Sequence, residues 1–212
     1  VYGWSNKPMK YITDDNRDLT QDELHANWAI KKIKQLEKDT IQKPFFMGVG
    51  FIRPHTPMHA PDKYFDLFPL DSLQLDTWKL KDEEDTFWDE NFDKDLKGKR
   101  YYRTLLASYN GDRELALKHF LQAYLACVAF VDEQVGKVVD ALNASKFKDN
   151  TIIVFTSDHG WQMGEKSYLF KNSVWEETTR IPLIIKTPNT QKGTKIAHPV
   201  SLIDIFLQCY LN

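Results

Sequence analysis

The sequence predicts a layered α/β fold. Three observations carry that prediction: two long stretches with apolar residues at helical spacing, short β-branched runs between and after them, and an order of helix, strand, helix, strand, strand, helix. Length and composition agree with a globular chain. The 212 residues are 42% hydrophobic and 13% aromatic, enough to bury a substantial core. The charge is nearly balanced, 28 basic against 30 acidic residues, for a net charge of -2. Such a balance gives no basic surface for a nucleic acid, so no nucleic-acid partner is expected. It leaves room for a local cluster that binds a small anion.

Residues 1–19 are polar and aperiodic and read as loop. Val1–Pro8 lacks the apolar centre of a signal peptide and an initiator methionine, so the chain is expected to be processed or cut from something longer. No apolar run is expected to reach the ~18–20 residues that span a bilayer. Thr20-Gln21-Asp22-Glu23 has the form of a capping box. Behind it Ala26, Ala29, Ile30, Ile33 and Leu36 recur at helical spacing, which predicts a helix over 21–38. Pro44–Phe51 is almost wholly apolar and reads as a strand buried on both faces.

Arg53–Pro61 changes character, with three prolines and two histidines in nine residues. This is a stiff loop at a strand end, the place where open α/β sheets put their ligands. The stretch 62–112 reads as a surface insertion with short helical pieces, its Asp82–Asp85 and Lys97–Arg100 runs solvated. From residue 113 the apolar positions 117, 121, 124, 128, 131, 135, 138 and 142 form one stripe of a long helix. Gly136 inside it costs about 1 kcal/mol of helix propensity, and close packing against a neighbour would explain it. Thr151–Thr156 is a second buried strand, followed by a glycine-punctuated polar loop to residue 172. Ile181–Lys186 is a third strand, and 200–211 a closing amphipathic helix. The two cysteines, Cys127 and Cys209, sit among apolar neighbours and read as buried thiols.

Two strand-end loops contain the residues that can do chemistry. Asp158 and His159 are adjacent, and a carboxylate with an imidazole can bind one divalent cation. Two ligands are too few for a stable site, and the pair also reads as a turn aspartate beside a half-exposed histidine. His55 stands between Pro54 and Pro57, and a fixed imidazole can bind an anion or protonate a leaving oxygen. It also reads as a plain surface histidine. Lys171 can hold an oxyanion as a point cation, and by chemistry alone Lys166 is its equal.

Several of these segments resemble the type I sulfatases. Thr156-Ser157-Asp158-His159-Gly160-Trp161 with Gly164-Glu165 and Lys171 is similar to that family's strand-end segment. Lys43–Gly50 followed by Pro54-His55-Thr56-Pro57 resembles the iduronate-2-sulfatase branch, as do Tyr124-Leu125-Ala126 and Val131–Gly136. Thr179–Ile184 matches the strand beyond the active-site loop. The resemblance implies part of an alkaline-phosphatase-like α/β/α sandwich with a mixed, mostly parallel sheet. It implies a sulfuric ester hydrolase acting on a sulfated sugar or polysaccharide, with a calcium ion and a formylglycine nucleophile. Asp158 and His159 would be metal ligands, Lys171 would hold sulfate oxygens, and His55 would contact the sulfate or assist the leaving group. Secreted, periplasmic or lysosomal placement has the same basis.

The chain departs from the family in what it lacks. Neither cysteine and no serine is followed by the x-Pro/Ala-x-Arg that formylglycine needs, and no tandem-aspartate counterpart is visible. The expectation is a fragment whose nucleophile lies upstream, with that N-terminal portion of the same protein as its partner. A phospho- or phosphonoester hydrolase of the same superfamily and an inactive sulfated-glycan-binding relative are the alternatives.

Overall fold

A computed structural model describes residues 8–40, 43–75, 82–86, 96–188 and 193–205. Cys209 and half of the expected closing helix, residues 206–211, lie outside the described residues. Only a turn at 202–205 is seen of that segment.

The polar N-terminal stretch is not plain loop. Tyr11–Thr13 (β1) and Asn16–Arg17 (β2) form an antiparallel hairpin. Asp14 in its turn accepts the Tyr11 hydroxyl at 2.5 Å and the backbone amides of Asp62 and Lys63 at 3.0 and 3.1 Å. The carboxylate thus caps the short helix Asp62–Phe65 (α2) from 48 residues away.

The expected first helix is Gln21–Lys38 (α1), and its capping box is complete. The Thr20 hydroxyl accepts the Glu23 amide at 3.3 Å, and the Glu23 carboxylate accepts the Thr20 amide at 2.7 Å. Arg17 clamps the same carboxylate with two bonds of 2.7 Å. Ala26 and Ala29 are fully buried, small enough to let α1 lie close against the long helix Arg113–Asn143 (α4).

In α4 the expected stripe holds at both ends, where Leu117 and Leu142 are buried. In the middle the buried face is turned to Ala126, Cys127, Phe130 and Gln134, and Val128 is exposed. The helix is apolar nearly all round there, so periodicity does not choose a face. Fit does: Ala126 and Phe130 receive Tyr64 of α2, whose ring meets Phe130 edge-on at 5.3 Å. Gly136 has open space where a Cβ would stand, so close packing does not explain it. Contrary to the sequence reading, α4 is long and apolar enough to cross a membrane by length and composition, because alanines fill the gaps in its stripe. Here it is the strut against which α1, α2 and the helix Lys97–Ser108 (α3) pack.

Pro44–Phe51 forms no ladder. Its burial alternates, with Phe45 edge-on to Phe147 at 5.2 Å and Phe46 94% exposed. No strand lies beside it among the described residues, so one face has core and the other none. The strand expected over 151–156 is Ile153–Thr156 (β3), and it pairs antiparallel with Leu183–Lys186 (β6). Phe155 and Ile184 are exposed, so this ladder too has one uncovered face.

The stretch 62–112 is more than a solvated surface. Tyr64, Leu73 and Tyr102 are buried in it. Its two charge runs are paired: Lys99 with Glu83 at 3.5 Å, and Asp82 and Asp85 with Lys166 at 3.0 and 2.6 Å. The polar loop after β3 contains a second hairpin, Gln162–Met163 (β4) with Leu169–Phe170 (β5). A short helix, Glu176–Thr179 (α5), precedes β6.

Candidate active site

The site is built where β3 ends. Ser157–Gly160 leaves the ladder and is bolted to α5: the Gly160 and Trp161 amides donate to the Thr178 and Glu177 carbonyls at 2.8 and 2.7 Å. A Cβ on Gly160 would stand 2.1 Å from the Glu177 oxygen, so only glycine lets the two backbones meet.

This anchoring presents Asp158 and His159 together. Asp158 is exposed, and its Oδ1 accepts the His159 amide at 3.1 Å. His159 Nδ1 lies 2.7 Å from the Gly160 carbonyl. A carbonyl only accepts, so Nδ1 carries the proton and Nε2 presents its lone pair. That Nε2 lies 3.3 Å from Asp158 Oδ2. Two acceptors this close call for a positive charge between them, a proton or a metal cation. Histidines that bind metals have this same arrangement, with one nitrogen donating to a carbonyl and the other left for the metal. The pair therefore fits a divalent cation as part of a ligand set. Among the described residues no group of three or more His, Cys, Asp or Glu side chains converges. The structure thus unites Asp158 with His159 but adds neither His55 nor any other such ligand to them.

His55 is held in its own loop. Its Nδ1 is 2.5 Å from the Thr56 carbonyl, which again leaves Nε2 as the nitrogen with the lone pair. Sequence reading missed what holds this loop. Asp22, in the first turn of α1 and 1% exposed, accepts the Ile52 and Arg53 amides at 2.6 and 3.2 Å. The Arg53 side chain donates to the His59 carbonyl at 2.6 Å. The signal available was a carboxylate at a position where helical spacing puts core.

The β4–β5 hairpin carries Lys171. Trp161 is buried with its ring edge-on to Phe170 at 5.3 Å, so it joins the hairpin's core. The same contact ties the Asp158–His159 strand end to the residue before Lys171. Lys171 Nζ lies 5.9 Å from the Phe170 ring centroid. Lys166, its equal by chemistry alone, is occupied: its ammonium donates to the Asp82 carbonyl and carboxylate and to Asp85, at 2.7, 3.0 and 2.6 Å. Those carboxylates, Asp85 foremost, hold its pKa above the ordinary lysine value. The geometry therefore separates the two lysines.

Cys127 is fully buried, and burial pushes its thiol up to about 12. Inert, and outside the required motif, it does not fit the formylglycine precursor.

The chain is similar to known proteins over nearly its whole length. The profile of the sulfatase family matches residues 1–209. A sulfatase of Formosa agariphila is 39% identical over 205 residues, covering 97% of this chain and 38% of that protein. Mouse iduronate 2-sulfatase is 35% identical over 179 residues, covering 84% of this chain and 32% of that protein. The solved structure of yidJ from Bacteroides fragilis, assigned as a sulfatase, superposes with a TM-score of 0.57 at 28% identity, covering 89% of this chain and 37% of that one. The chain thus spans 32–38% of these relatives' length. It is an α/β chain of that fold, and it belongs to the sulfatase family.

Proposed function

We propose that this chain forms the part of a sulfuric ester hydrolase that holds one side of the metal site and the sulfate, with a sulfated sugar or polysaccharide as substrate. The observation that carries the reading is the His159 ring. Its Nδ1 is spent on Gly160, and its Nε2 faces Asp158 Oδ2 at 3.3 Å. Asp158 and His159 would hold a calcium ion, which when bound places positive charge against the sulfate oxygens. The family membership and the carboxylate–imidazole pair support that ion. None of the cysteines or serines in these 212 residues stands in the motif that formylglycine needs.

The chain's own residues have separate tasks. Lys171 neutralises sulfate oxygens, and an ammonium fixed before reaction costs no reorganisation as charge develops. His55 presents Nε2 to the bridging oxygen; with Nδ1 held on the Thr56 carbonyl, it acts as general acid in its imidazolium form, giving the Nε2 proton to the departing alcohol and returning to the neutral ring. Asp22 holds the His55 loop through two amides and touches no substrate.

The test is inorganic sulfate released from sulfated oligosaccharides by the protein as the cell makes it. Lys171→Ala is expected to lower kcat/KM by about 10²–10³, the usual loss for one oxyanion-stabilising group. Lys166→Ala should cost far less. Equal losses in the two variants, or no sulfate released by the wild type, would overturn the reading.

A further inference from the structure

The cations around the β4–β5 hairpin fall into two pairs. Lys166 and Lys99 are neutralised by the acidic run Asp82–Asp85. Lys97 and Lys171 are not: among the described residues they have aromatic neighbours and no carboxylate partner. Both ammonium groups lie against the same ring. Lys97 Nζ is 4.4 Å and Lys171 Nζ 5.9 Å from the centroid of Phe170, so the two nitrogens are at most about 10 Å apart.

This juxtaposition is built in. Phe170 is buried between Trp161 and Tyr101, with ring centroids at 5.3 and 5.4 Å. The first turn of α3 is pressed onto the hairpin at Gly98, where a Cβ would stand 2.0 Å from the Tyr168 ring. Tyr168 in turn donates its hydroxyl to the carbonyl of Asn172, the residue after Lys171, at 3.0 Å. Lys97 is therefore carried to its place by an element that packs on the Lys171 hairpin.

We propose that Lys97 is a specificity-determining residue, forming with Lys171 a two-cation site for a substrate that carries a second anionic group beside the scissile sulfate. A uronate carboxylate or a second sulfate on the same or the next sugar has that chemistry. The assignment rests on the reading of Lys171 as the sulfate-binding lysine. Two cations on one ring present positive charge to the same stretch of surface, and both gain a partner when a dianion bridges them. A monoanion satisfies only one.

The experiment uses ligands that cannot be hydrolysed, so binding is read without turnover. Naphthalene-2,6-disulfonate and naphthalene-2-sulfonate have carbon–sulfur bonds, which ester hydrolysis leaves intact. Their dissociation constants are measured by calorimetry on the protein as the cell makes it. The wild type is expected to bind the disulfonate at least tenfold more tightly. Lys97→Ala should bring that ratio close to one, Lys97→Arg should restore it, and Lys31→Glu, on the outer face of α1, should leave it in place. The wild-type preference should also shrink as ionic strength rises. A ratio that Lys97→Ala leaves unchanged, or a wild type with no preference, would overturn the two-cation site. The sulfate-release assay fails or succeeds separately, so a protein that discriminates the two sulfonates yet releases no sulfate would sink the hydrolase reading alone.

Discussion

Asp22 shows how much one buried carboxylate can set. It accepts the two amides that start the His55 loop, while its neighbour Glu23 completes the cap of α1. Asp22→Ala would leave two part-buried amides without their acceptor, a cost on the order of 1–3 kcal/mol. Urea titration should show it as a lower midpoint, with Asp22→Asn losing less because one carbonyl oxygen remains. Cys127 gives a second residue-scale expectation. With its thiol pushed up to about 12 by burial, it should resist iodoacetamide in the native protein and react in denaturant, which peptide mapping will read. Glu133 gives a third. Lys137 first and then the Tyr64 hydroxyl, at 2.7 and 2.6 Å, pull its carboxyl down to about 2 from an ordinary 4.5. A depressed folded pKa means the contribution is complete above pH 4.5 and is lost as pH falls toward 2. Glu133→Gln should therefore flatten the stability profile across that interval and leave its neutral side unchanged in slope.

Helices were legible and isolated strands were not. The capping box of α1 and the ends of α4 followed from spacing, because a helix closes its own hydrogen bonds. A strand needs a neighbour, and the apolar run Pro44–Phe51 has none among the described residues. The β1–β2 and β4–β5 hairpins were hidden because their strands are two or three residues long, too short to show a period. Asp158, His159, His55 and Lys171 were all nominated from sequence, and of these the structure brings Asp158 and His159 together. Residue chemistry alone left Lys171 and Lys166 equal, and only the family resemblance preferred Lys171; the physical difference, Lys166 engaged by Asp82 and Asp85, depends on residues more than eighty positions away. Two glycines test the packing at this scale. Gly98→Ala would drive a methyl into the Tyr168 ring and should destabilise by about 1–3 kcal/mol, as overpacking does. Gly136→Ala meets open space and should stabilise α4 by about 1 kcal/mol. Opposite shifts of the urea midpoint check both.

At the scale of the molecule, α4 is the member that organises the rest. Its ends and middle receive α1, α2 and α3, and the β3–β6 ladder follows directly from it in sequence. Phe46 remains exposed on the extended run 44–51, and Phe155 and Ile184 on the β3–β6 ladder, in a chain that spans 38% of its Formosa relative. A layered α/β fold covers such faces with further elements. The functional claim at this scale is that Asp158 and His159 complete a calcium site that serves sulfate hydrolysis. Calcium bound per molecule, measured together with sulfate release in the wild type and in Asp158→Asn/His159→Ala, tests it most directly. The account predicts that the double variant loses the bound calcium and the sulfate release together. A double variant that releases sulfate at the wild-type rate, with its calcium still bound, would contradict it.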